Sequence, residues 1–361
     1  MAMVVALSAE LAKGGHEVDV VCLDRPTGSS HEAHWIDLLG SRRVAVYFLG
    51  RKRRTPGIMA AGKLWWLIQR RRYDVVHSHL PMPDATSGFA RRSSPHRFVH
   101  IVTIHNTYEP RSRWLTAWGR GANVAYCSEA ARQRNPLPGV SSTVIPNGIP
   151  QMVFAIPGKS REEIRNQCGL SADARVVIAV GRMCPQKNFG TALEALAILK
   201  RRNTVANLQC LLCGTGEERE QLETRVRELE LDGIVRFMGV RTDIPALLAA
   251  SDVFLSTSRY EGMPLAVLEA VCAGARCVLS AIDEHIEIAA SMPGCQFASL
   301  DPEAMASALE RVLRDSSDLH LLRQQRAPYL KKHSIEECTE SYQKLYQACC
   351  HPQLVSQPAR P

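Results

Sequence analysis

The segment V-V-I-A-V-G-R-M-C-P-Q-K-N, residues 176–188, decides the fold of this chain. Its first five residues form a continuous apolar run, which is typical of a parallel strand buried on both faces. Four apolar residues then recur at helical spacing: Phe189, Leu193, Leu196 and Leu199. The pattern predicts a strand, a loop and a helix, with Asn188 as the N-cap. Arg182 and Lys187 leave this loop at the sheet edge where open α/β sheets bind ligands.

A second segment, E-G-M-P-L-A-V-L-E at residues 261–269, places two carboxylates around a predicted helix start. Pro264 suits the first helical position, because its missing N–H costs nothing there. Glu261 then lies on the preceding loop and Glu269 in the second helical turn. The N–H groups of residues 263–266 favour an anion such as a diphosphate. Because glutamate pairs are also common on solvated helices, this interpretation depends on the cationic loop described above.

Strand-like and helical segments alternate through both halves of the chain, which predicts parallel sheets built from βαβ units. A chain of 361 residues exceeds what one core usually organises, so we expect two domains, linked around residues 146–174. The strands predicted in the first half are 18–22, 44–48, 74–77, 99–104, 123–126 and 143–145. Those predicted in the second half are 176–180, 209–213, 235–238, 253–255 and 277–279.

Eight segments stand in the order found in glycosyltransferase family 4, and the chain resembles this group of retaining enzymes from about Lys13 to about Tyr346. They are GGHEVDVV (14–21), DVVHSH (74–79), VTIHNT (102–107), IPNGI (145–149), VGRMCPQKN (180–188), GTGEER (214–219), FMGVRTDI (237–244) and SRYEGMPLAVLEA (258–270). The resemblance implies the α/β GT-B fold, in which two Rossmann-like, doubly wound domains face each other across a cleft. The implied parts are an acceptor-binding domain at 1–150, a nucleotide-sugar-binding domain at 151–333, and a helix at 334–350 that crosses back to the first domain.

The resemblance also implies roles for single residues. The implied donor-binding set is Arg182, Lys187, Gly214, Gly216, Glu261, Gly262, Met263, Pro264, Leu265 and Glu269. The implied catalytic set is His105, Arg182, Lys187 and Glu261. Arg182 and Lys187 bind the β-phosphate, Glu261 accepts from hydroxyls of the transferred sugar, and Glu269 accepts from the ribose. Both carboxylates are expected to be ionised.

Histidines and glycines leave further alternatives open. His105 follows an apolar run and is implied to stabilise an oxocarbenium-like transition state or to orient the acceptor, with a structural role as the alternative. His77 and His79 share one strand face and suit a metal by spacing, but the resembled enzymes need none, so we favour a cleft-lining or packing role. Gly214 and Gly216 either let the backbone approach the nucleotide or form a plain turn. We expect no cofactor and no metal, with the nucleotide sugar as substrate.

The beginning of the chain departs from the family. Members usually open with a strand and a glycine-rich loop, whereas residues 1–13 already follow a helix-like spacing. We therefore expect the first strand of the N-terminal domain to be missing, together with a loop that helps close over the donor phosphate.

Positive charge is concentrated in the first 150 residues, which carry 20 Lys and Arg against 10 Asp and Glu. It clusters at residues 51–54, 70–72 and 91–92, and Trp65-Trp66 precede the second cluster. A tryptophan-bearing helix with a basic end favours a peripheral contact with an anionic membrane, and a merely solvated face is the alternative. No nucleic-acid-binding motif is recognisable.

Compartment and function follow from the remaining patterns. No apolar run reaches the roughly 18 residues that span a bilayer, and the 12 cysteines lie mostly in apolar patterns, so we expect a cytoplasmic protein that contacts the inner face of the membrane. The predicted function is a retaining, metal-independent glycosyltransferase that moves a hexose or aminosugar from a nucleoside diphosphate sugar to a membrane-associated glycan or glycolipid. Its expected setting is bacterial surface polysaccharide or lipopolysaccharide assembly. The alternatives are a non-catalytic nucleotide-sugar-binding or scaffold protein, and a nucleotide-sugar epimerase.

Overall fold

The computed structural model describes residues 2–52, 57–105, 122–137, 139–151, 153, 160–290, 292–315 and 319–350. It divides into two compact units. Unit 1 comprises the described residues up to Gly148 and those from His333 onward, and unit 2 comprises Ile149–Lys332. Several residues of the predicted segments lie outside the described ranges: Met1, Arg53 and Arg54, Asn106 and Thr107, and residues 152 and 154–159 of the predicted linker.

Unit 1 is an α/β unit whose described strands form two parallel sheets. Its strands are β1 (Asp19–Asp24), β2 (Ala45–Arg51), β3 (Val75–Ser78), β4 (Val99–Ile104), β5 (Asn123–Tyr126) and β6 (Ser142–Val144). Its first helices are α1 (Ala2–Lys13), α2 (Ser30–Ser41), α3 (Ile58–Arg71), α4 (Pro81–Ser93) and α5 (Glu129–Arg134). β1 pairs with β2, and the second sheet has the order β3-β4-β5-β6. As predicted, the first described element is a helix.

Unit 2 is built on one sheet of six parallel strands. The strands are β7 (Arg175–Val180), β8 (Leu208–Cys213), β9 (Val235–Gly239), β10 (Val253–Ser256), β11 (Arg276–Ser280) and β12 (Cys295–Ala298). The helices are α6 (Arg161–Gln167), α7 (Phe189–Arg202), α8 (Arg219–Glu228), α9 (Ile244–Ala250), α10 (Leu265–Cys272), α11 (Asp283–Ala289), α12 (Pro302–Arg314) and α13 (Leu319–Lys331). As the 176–188 segment predicts, β7 is buried, and α7 covers it with a buried apolar stripe.

The order of the strands in unit 2 creates a crevice at one edge of the sheet. The spatial order is β12-β11-β10-β7-β8-β9. From β7 the chain proceeds outward through β8 and β9, and it then returns to β10 on the other side of β7. β7 and β10 are therefore neighbours whose following loops lead to opposite sides of the sheet, which leaves a crevice between the two loops. Open α/β sheets bind ligands at such a topological switch point.

The last described helix, α14 (Ile335–Cys350), returns the chain to unit 1. Its Tyr342 is fully buried, and the Tyr342 hydroxyl lies 3.0 Å from Thr103 Oγ1 on β4. Gln343 on the same helix reaches His16, after α1, with 2.9 Å between the side-chain nitrogens. These contacts pack α14 against β4 and the end of α1.

One strand of unit 2 is absent from the sequence-based prediction. β12, with the sequence C-Q-F-A, lies at the edge of the sheet and is only partly buried. An edge strand needs no continuous apolar run, so its short mixed sequence carries little signal. The other predicted strand boundaries differ from the observed ones by at most three residues.

Candidate functional site

The loop after β7 brings a lysine back across the end of its own strand. Lys187 lies just before α7, and its aliphatic chain crosses over Gly181, where an added Cβ would come within 3.0 Å of Lys187 Cε. Any larger residue at this position would press on the lysine chain, which would have to shift by a few tenths of an ångström. Arg182, which directly follows Gly181, is exposed, and among the described residues it makes no side-chain hydrogen bond.

Lys187 and Glu261 form the contact that joins the two loops of the switch point. Lys187 Nζ donates to Glu261 Oε1 at 2.6 Å. Ser258 Oγ donates to the same oxygen at 2.6 Å, and Gln186 Nε2 donates to Glu261 Oε2 at 3.3 Å. Glu261 is only 6% exposed. Because a buried charge is costly unless it is paired and hydrogen-bonded, Lys187, Ser258 and Gln186 together stabilise the buried Glu261 side chain.

Hydrogen bonds to main-chain carbonyl oxygens also join the same two loops. Thr257 Oγ1 donates to the carbonyl oxygens of Lys187 and Asn188, both at 3.0 Å, and the Arg259 amide donates to Gln186 O at 2.9 Å. The lysine and the glutamate thus sit on loops whose main chains are fixed to each other. Such preorganisation is what an electrostatic binding site requires.

The structure corrects the predicted role of Asn188. It occupies the N-cap position of α7, but with φ 52° and ψ 44° it is left-handed, and its side chain makes no capping hydrogen bond. Its side-chain Nδ2 instead donates to Thr191 Oγ1 at 2.9 Å, and its side-chain Oδ1 accepts from the Arg259 guanidinium at 3.0 Å. In this conformation Asn188 ties the α7 start to the β10–α10 loop.

The start of α10 differs by one residue from the prediction. The helix begins at Leu265, and Pro264, with ψ 87°, occupies the N-cap position rather than the first helical one. The Pro264 carbonyl oxygen accepts from the amides of Val267 and Leu268 at 3.0 and 3.3 Å. The amides of Leu265 and Ala266 precede these bonds and belong to the set that a helix leaves without an internal acceptor. Gly262 and Met263 are buried beside them.

Glu269 is a titratable group in the middle of α10. Burial raises the pKa of Glu269 to about 7, although the Lys187 ammonium acts in the opposite direction. The expectation that both glutamates are ionised is therefore wrong for Glu269 in the donor-free protein, where a substantial fraction carries a proton near neutral pH. The physical reason is desolvation, which disfavours the charged form.

Glu269→Gln is expected to remove a pH dependence from thermal unfolding. Because the folded-state pKa lies above the ordinary value of 4.5, the folded protein binds more protons than the unfolded chain between these values. The stabilisation is complete below the ordinary pKa and is lost as the pH rises through about 7. We expect Tm to fall more between about pH 5 and pH 8 in wild type than in Glu269→Gln. Glu220→Gln, an exposed glutamate on α8, is the matched control, and equal pH dependence in all three proteins would contradict the shifted pKa.

Gly214 and Gly216 let the loop after β8 pack closely against the loop after β7, so they do more than form a plain turn. A Cβ on Gly214, at φ +136°, would lie 1.8 Å from the Gly181 carbonyl oxygen, and one on Gly216 would lie 2.1 Å from the Met183 carbonyl oxygen. The Met183 amide also donates to Thr215 O at 2.9 Å. The close approach at these glycines is to the β7–α7 loop, and a direct contact with a nucleotide stays a prediction.

A buried chain of hydroxyls lies behind Glu261 and was not predicted. His285 Nδ1 lies 2.9 Å from the Ser280 carbonyl oxygen, which can only accept, so Nδ1 carries the proton. Nε2 is then the acceptor, 3.3 Å from Ser256 Oγ, and Ser256 Oγ lies 3.3 Å from Ser258 Oγ. Burial lowers the pKa of His285, which keeps the ring neutral. Because Ser258 gives its proton to Glu261, Ser256 donates either to Ser258 Oγ or to His285 Nε2, but not to both at once.

Unit 1 carries its own cluster of predicted residues, at the ends of β3 and β4. His79 Nδ1 lies 3.0 Å from His105 Nε2, and the rings of His77 and His79 lie with centroids 4.0 Å apart and planes tilted by 37°. His77 reaches Thr103 Oγ1 at 2.7 Å and the Tyr346 hydroxyl at 2.8 Å. The packing role favoured for His77 therefore agrees with its contacts, and His79 orients the His105 ring.

All three histidines of this cluster are neutral at physiological pH. Burial lowers the pKa of His105 to about 4 and that of His77 to about 3, and it also lowers the pKa of His79. Of the two facing nitrogens, His79 Nδ1 and His105 Nε2, one carries the hydrogen of their shared bond. His105 can consequently donate or accept a hydrogen bond without a charge of its own.

Known protein families match both halves of the chain. Residues 160–332 match the family described as Glycosyl transferases group 1, and residues 2–151 match Glycosyltransferase Family 4. The chain is 27% identical over 269 residues to the Escherichia coli UDP-Gal:alpha-D-GlcNAc-diphosphoundecaprenol alpha-1,3-galactosyltransferase, covering 70% of this chain and 69% of that protein. It is 25% identical over 341 residues to an uncharacterized glycosyltransferase of Methanocaldococcus jannaschii, covering 86% and 83%.

A solved structure matches the chain over nearly its whole length. The crystal structure of Anabaena HepE in complex with UDP-glucose is similar with a TM-score of 0.80 and 18% sequence identity, covering 96% of this chain and 95% of that one. At this identity the similarity shows the fold.

Proposed function

Because the chain belongs to glycosyltransferase family 4, the group 1 glycosyltransferases, we propose that it is a retaining enzyme that transfers a hexose or aminosugar from a nucleoside diphosphate sugar. It is a glycosyltransferase with the GT-B fold. The proposed acceptor is a membrane-associated glycan or glycolipid, and the proposed setting is bacterial surface polysaccharide assembly. The name of the similar Escherichia coli enzyme, which gives UDP-Gal as donor and a diphosphoundecaprenol-linked sugar as acceptor, supports this choice.

The observation that carries the proposal is the ion pair at the switch point of unit 2. Lys187 and Glu261 come from the loops after β7 and β10 and meet at 2.6 Å. A cation for a diphosphate and a carboxylate for sugar hydroxyls thus stand side by side, as recognition of a sugar attached to a diphosphate requires. Arg182 emerges from the same loop and is exposed to a ligand.

The proposed reaction breaks the bond between the sugar C1 and the β-phosphate oxygen. The bonding electrons leave with that oxygen, so negative charge grows on the diphosphate as the bond lengthens. Arg182 and Lys187 stabilise this charge, together with the amides at the start of α10. The acceptor oxygen forms the new bond to C1 on the same face, and its proton passes to the departing phosphate.

The two glutamates divide donor recognition in this proposal. Glu261, held in place by Ser258 and Lys187, accepts hydrogen bonds from hydroxyls of the transferred sugar. Glu269 accepts from the ribose, and because a carboxylate accepts better than a carboxyl group, donor binding lowers its raised pKa. Binding near neutral pH is therefore coupled to release of a proton from Glu269.

The histidine pair of unit 1 completes the proposed chemistry. A neutral His105, oriented by His79 at 3.0 Å, can hydrogen-bond to the transferred sugar or to the acceptor hydroxyl. In this proposal it positions the acceptor without adding positive charge beside an oxocarbenium-like centre. No metal is required, because Arg182 and Lys187 supply the cationic charge.

Among the helices of the described ranges, none combines the length and apolarity needed to cross a bilayer.

A transfer assay tests the proposed function. The purified chain is incubated with radiolabelled UDP-glucose, UDP-galactose, UDP-N-acetylglucosamine or GDP-mannose, with bacterial glycolipid extract, and with or without EDTA. We expect one donor to label a glycolipid, no loss of labelling with EDTA, and NMR of the product to show the anomeric configuration of the donor. An inverted product or full loss with EDTA would contradict the mechanism. A changed sugar without acceptor would indicate an epimerase, and donor binding without any product would indicate a binding protein.

A further inference from the structure

Four large apolar side chains are exposed at one edge of unit 1. Ile58 and Met59, at the start of α3, are 80% and 79% exposed, and Leu80 and Met82, around the start of α4, are also exposed. The two pairs are neighbours, because a Cβ placed on Gly57 would lie 3.4 Å from Met82 Cε. We call these four residues the apolar tip. Contiguous exposed apolar surface of this kind marks a site of interaction.

Basic side chains gather beside the apolar tip, at the carboxyl ends of β1 and β2. Arg25 Nε donates to the carbonyl oxygen of Gly50 at 3.1 Å, and Lys63 Nζ donates to that of Leu49 at 3.0 Å, both on β2. Arg51 passes within 3.6 Å of the Cβ position on the residue before α3. Asp24 pairs with Arg51 at 2.7 Å, whereas the contacts of Arg25 and Lys63 given above are to uncharged oxygens. The rim of the apolar tip is therefore positively charged.

The apolar tip lies at the same sheet edge as the histidine cluster. Leu80 directly follows His79, whose ring contacts His105. Both histidines stand at the carboxyl ends of their strands, β3 and β4, as does the start of α4. A molecule bound at the apolar tip therefore lies on the His105 side of unit 1.

We propose that the apolar tip enters the interfacial layer of an anionic bilayer, while the surrounding cations contact lipid phosphates. Apolar side chains that bury at the acyl boundary, combined with basic residues that attract anionic headgroups, are the requirements for interfacial binding. The positive rim selects a lipid surface over an uncharged apolar partner. The proposal rests on the proposed glycolipid acceptor, whose sugar it would present at the edge that carries His105.

This location differs from the surface that the sequence indicates. Trp66 and the basic cluster at 70–72 lie towards the other end of α3, a helix about 20 Å long at 1.5 Å per residue. There the Arg70 guanidinium stacks 5.2 Å from the Trp66 ring centroid, and Arg71 pairs with Asp19 at 2.9 Å. Among the described residues of α3, this end exposes one large apolar side chain, Trp66, against four at the apolar tip.

Vesicle cosedimentation tests the proposal. The full chain is mixed with vesicles of phosphatidylcholine containing about 30% phosphatidylglycerol, and with vesicles of pure phosphatidylcholine. We expect binding to the anionic vesicles, and a fall of about ten-fold or more in the partition coefficient for the Ile58→Ser/Met59→Ser variant. Trp66→Ser tests the other end of α3, and Val240→Ser removes an exposed apolar residue of unit 2 as matched control. Both are expected to bind within about two-fold of wild type.

A second measurement separates this proposal from the proposed function. Calorimetric binding of the nucleotide sugar is expected to be unchanged in all these variants, because none of the replaced residues belongs to the donor site. Three results would overturn the apolar tip as the contact: no binding of wild type to anionic vesicles, unchanged binding of the double variant, or an equal loss in Trp66→Ser. If donor binding fails in wild type as well, the proposed function itself is at fault.

Discussion

Replacing Arg182 by alanine is expected to lower sugar transfer by about 100-fold or more, because one preorganised cation at the departing diphosphate is lost. The Tm is expected to change by less than about 2 °C. Arg182 is exposed at the end of β7 and makes no side-chain hydrogen bond among the described residues, so the fold does not depend on it. Radiolabel transfer and thermal melting measure the two effects.

The matched control for Arg182 is Arg201→Ala, an exposed arginine on the last turn of α7 in the same unit. It removes the same charge far from the loop that carries Arg182, and we expect transfer close to wild type. Undiminished transfer by Arg182→Ala would remove this residue from the donor site. A large drop in Tm would instead show that its role is structural.

The second large effect concerns the buried ion pair. Lys187→Met is expected to lower transfer by about 100- to 1,000-fold and also to destabilise the protein, because it leaves the buried Glu261 carboxylate without its counter-charge. Breaking a buried pair in this way costs about 3–5 kcal/mol. Glu261 is 6% exposed, so we expect a cost near that range, reduced by the remaining donors from Ser258 and Gln186. Thermal melting and the transfer assay measure both consequences.

A double variant separates charge balance from catalysis. Lys187→Met/Glu261→Gln removes both charges, so we expect it to regain much of the lost Tm while transfer stays low. Lys200→Met, which breaks the exposed pair of Lys200 and Glu230 at 3.3 Å, is the control and should cost less than about 1 kcal/mol. If the double variant is no more stable than Lys187→Met, the ion pair does not govern stability. If Lys187→Met transfers normally, the proposed donor site is wrong.

Local patterns in the sequence were enough to predict the elements that carry the site. The apolar run before Gly181 and the spacing from Phe189 onward predict β7 and α7, because strand and helix periodicities are properties of neighbouring residues. The same applies to α10, whose start was misplaced by one residue at Pro264. The edge strand β12 was missed because a half-buried strand has no continuous apolar run.

Contacts between distant residues were harder to predict. Lys187 and Glu261 are 74 positions apart, and their contact depends on β7 and β10 being neighbours in the sheet. Family resemblance assigned both residues to one ligand, but not to each other. The hydroxyl chain from His285 to Ser258 was missed because serines have no sequence signal until the fold brings β10 and β11 together.

The raised pKa of Glu269 and the packing of Gly214 depend on the same kind of information. Desolvation of Glu269 is set by what surrounds α10, and sequence spacing does not report it. Gly214 faces a carbonyl oxygen of the neighbouring β7–α7 loop, a contact that a turn motif alone cannot reveal. In both cases the environment created by the fold, rather than the residue type, determines the behaviour.

The central claim, that the crevice between β7 and β10 binds the donor, is tested most directly by calorimetric titration. The ligands are UDP, GDP and ADP, each alone and as its sugar conjugates with glucose, galactose, mannose or N-acetylglucosamine. We expect one nucleotide series to bind to wild type and to Arg201→Ala, and we expect binding to be lost or weakened about ten-fold or more in Arg182→Ala. Absence of binding by every nucleotide, or equal binding by Arg182→Ala, would contradict the assignment of the crevice between β7 and β10 as the donor site.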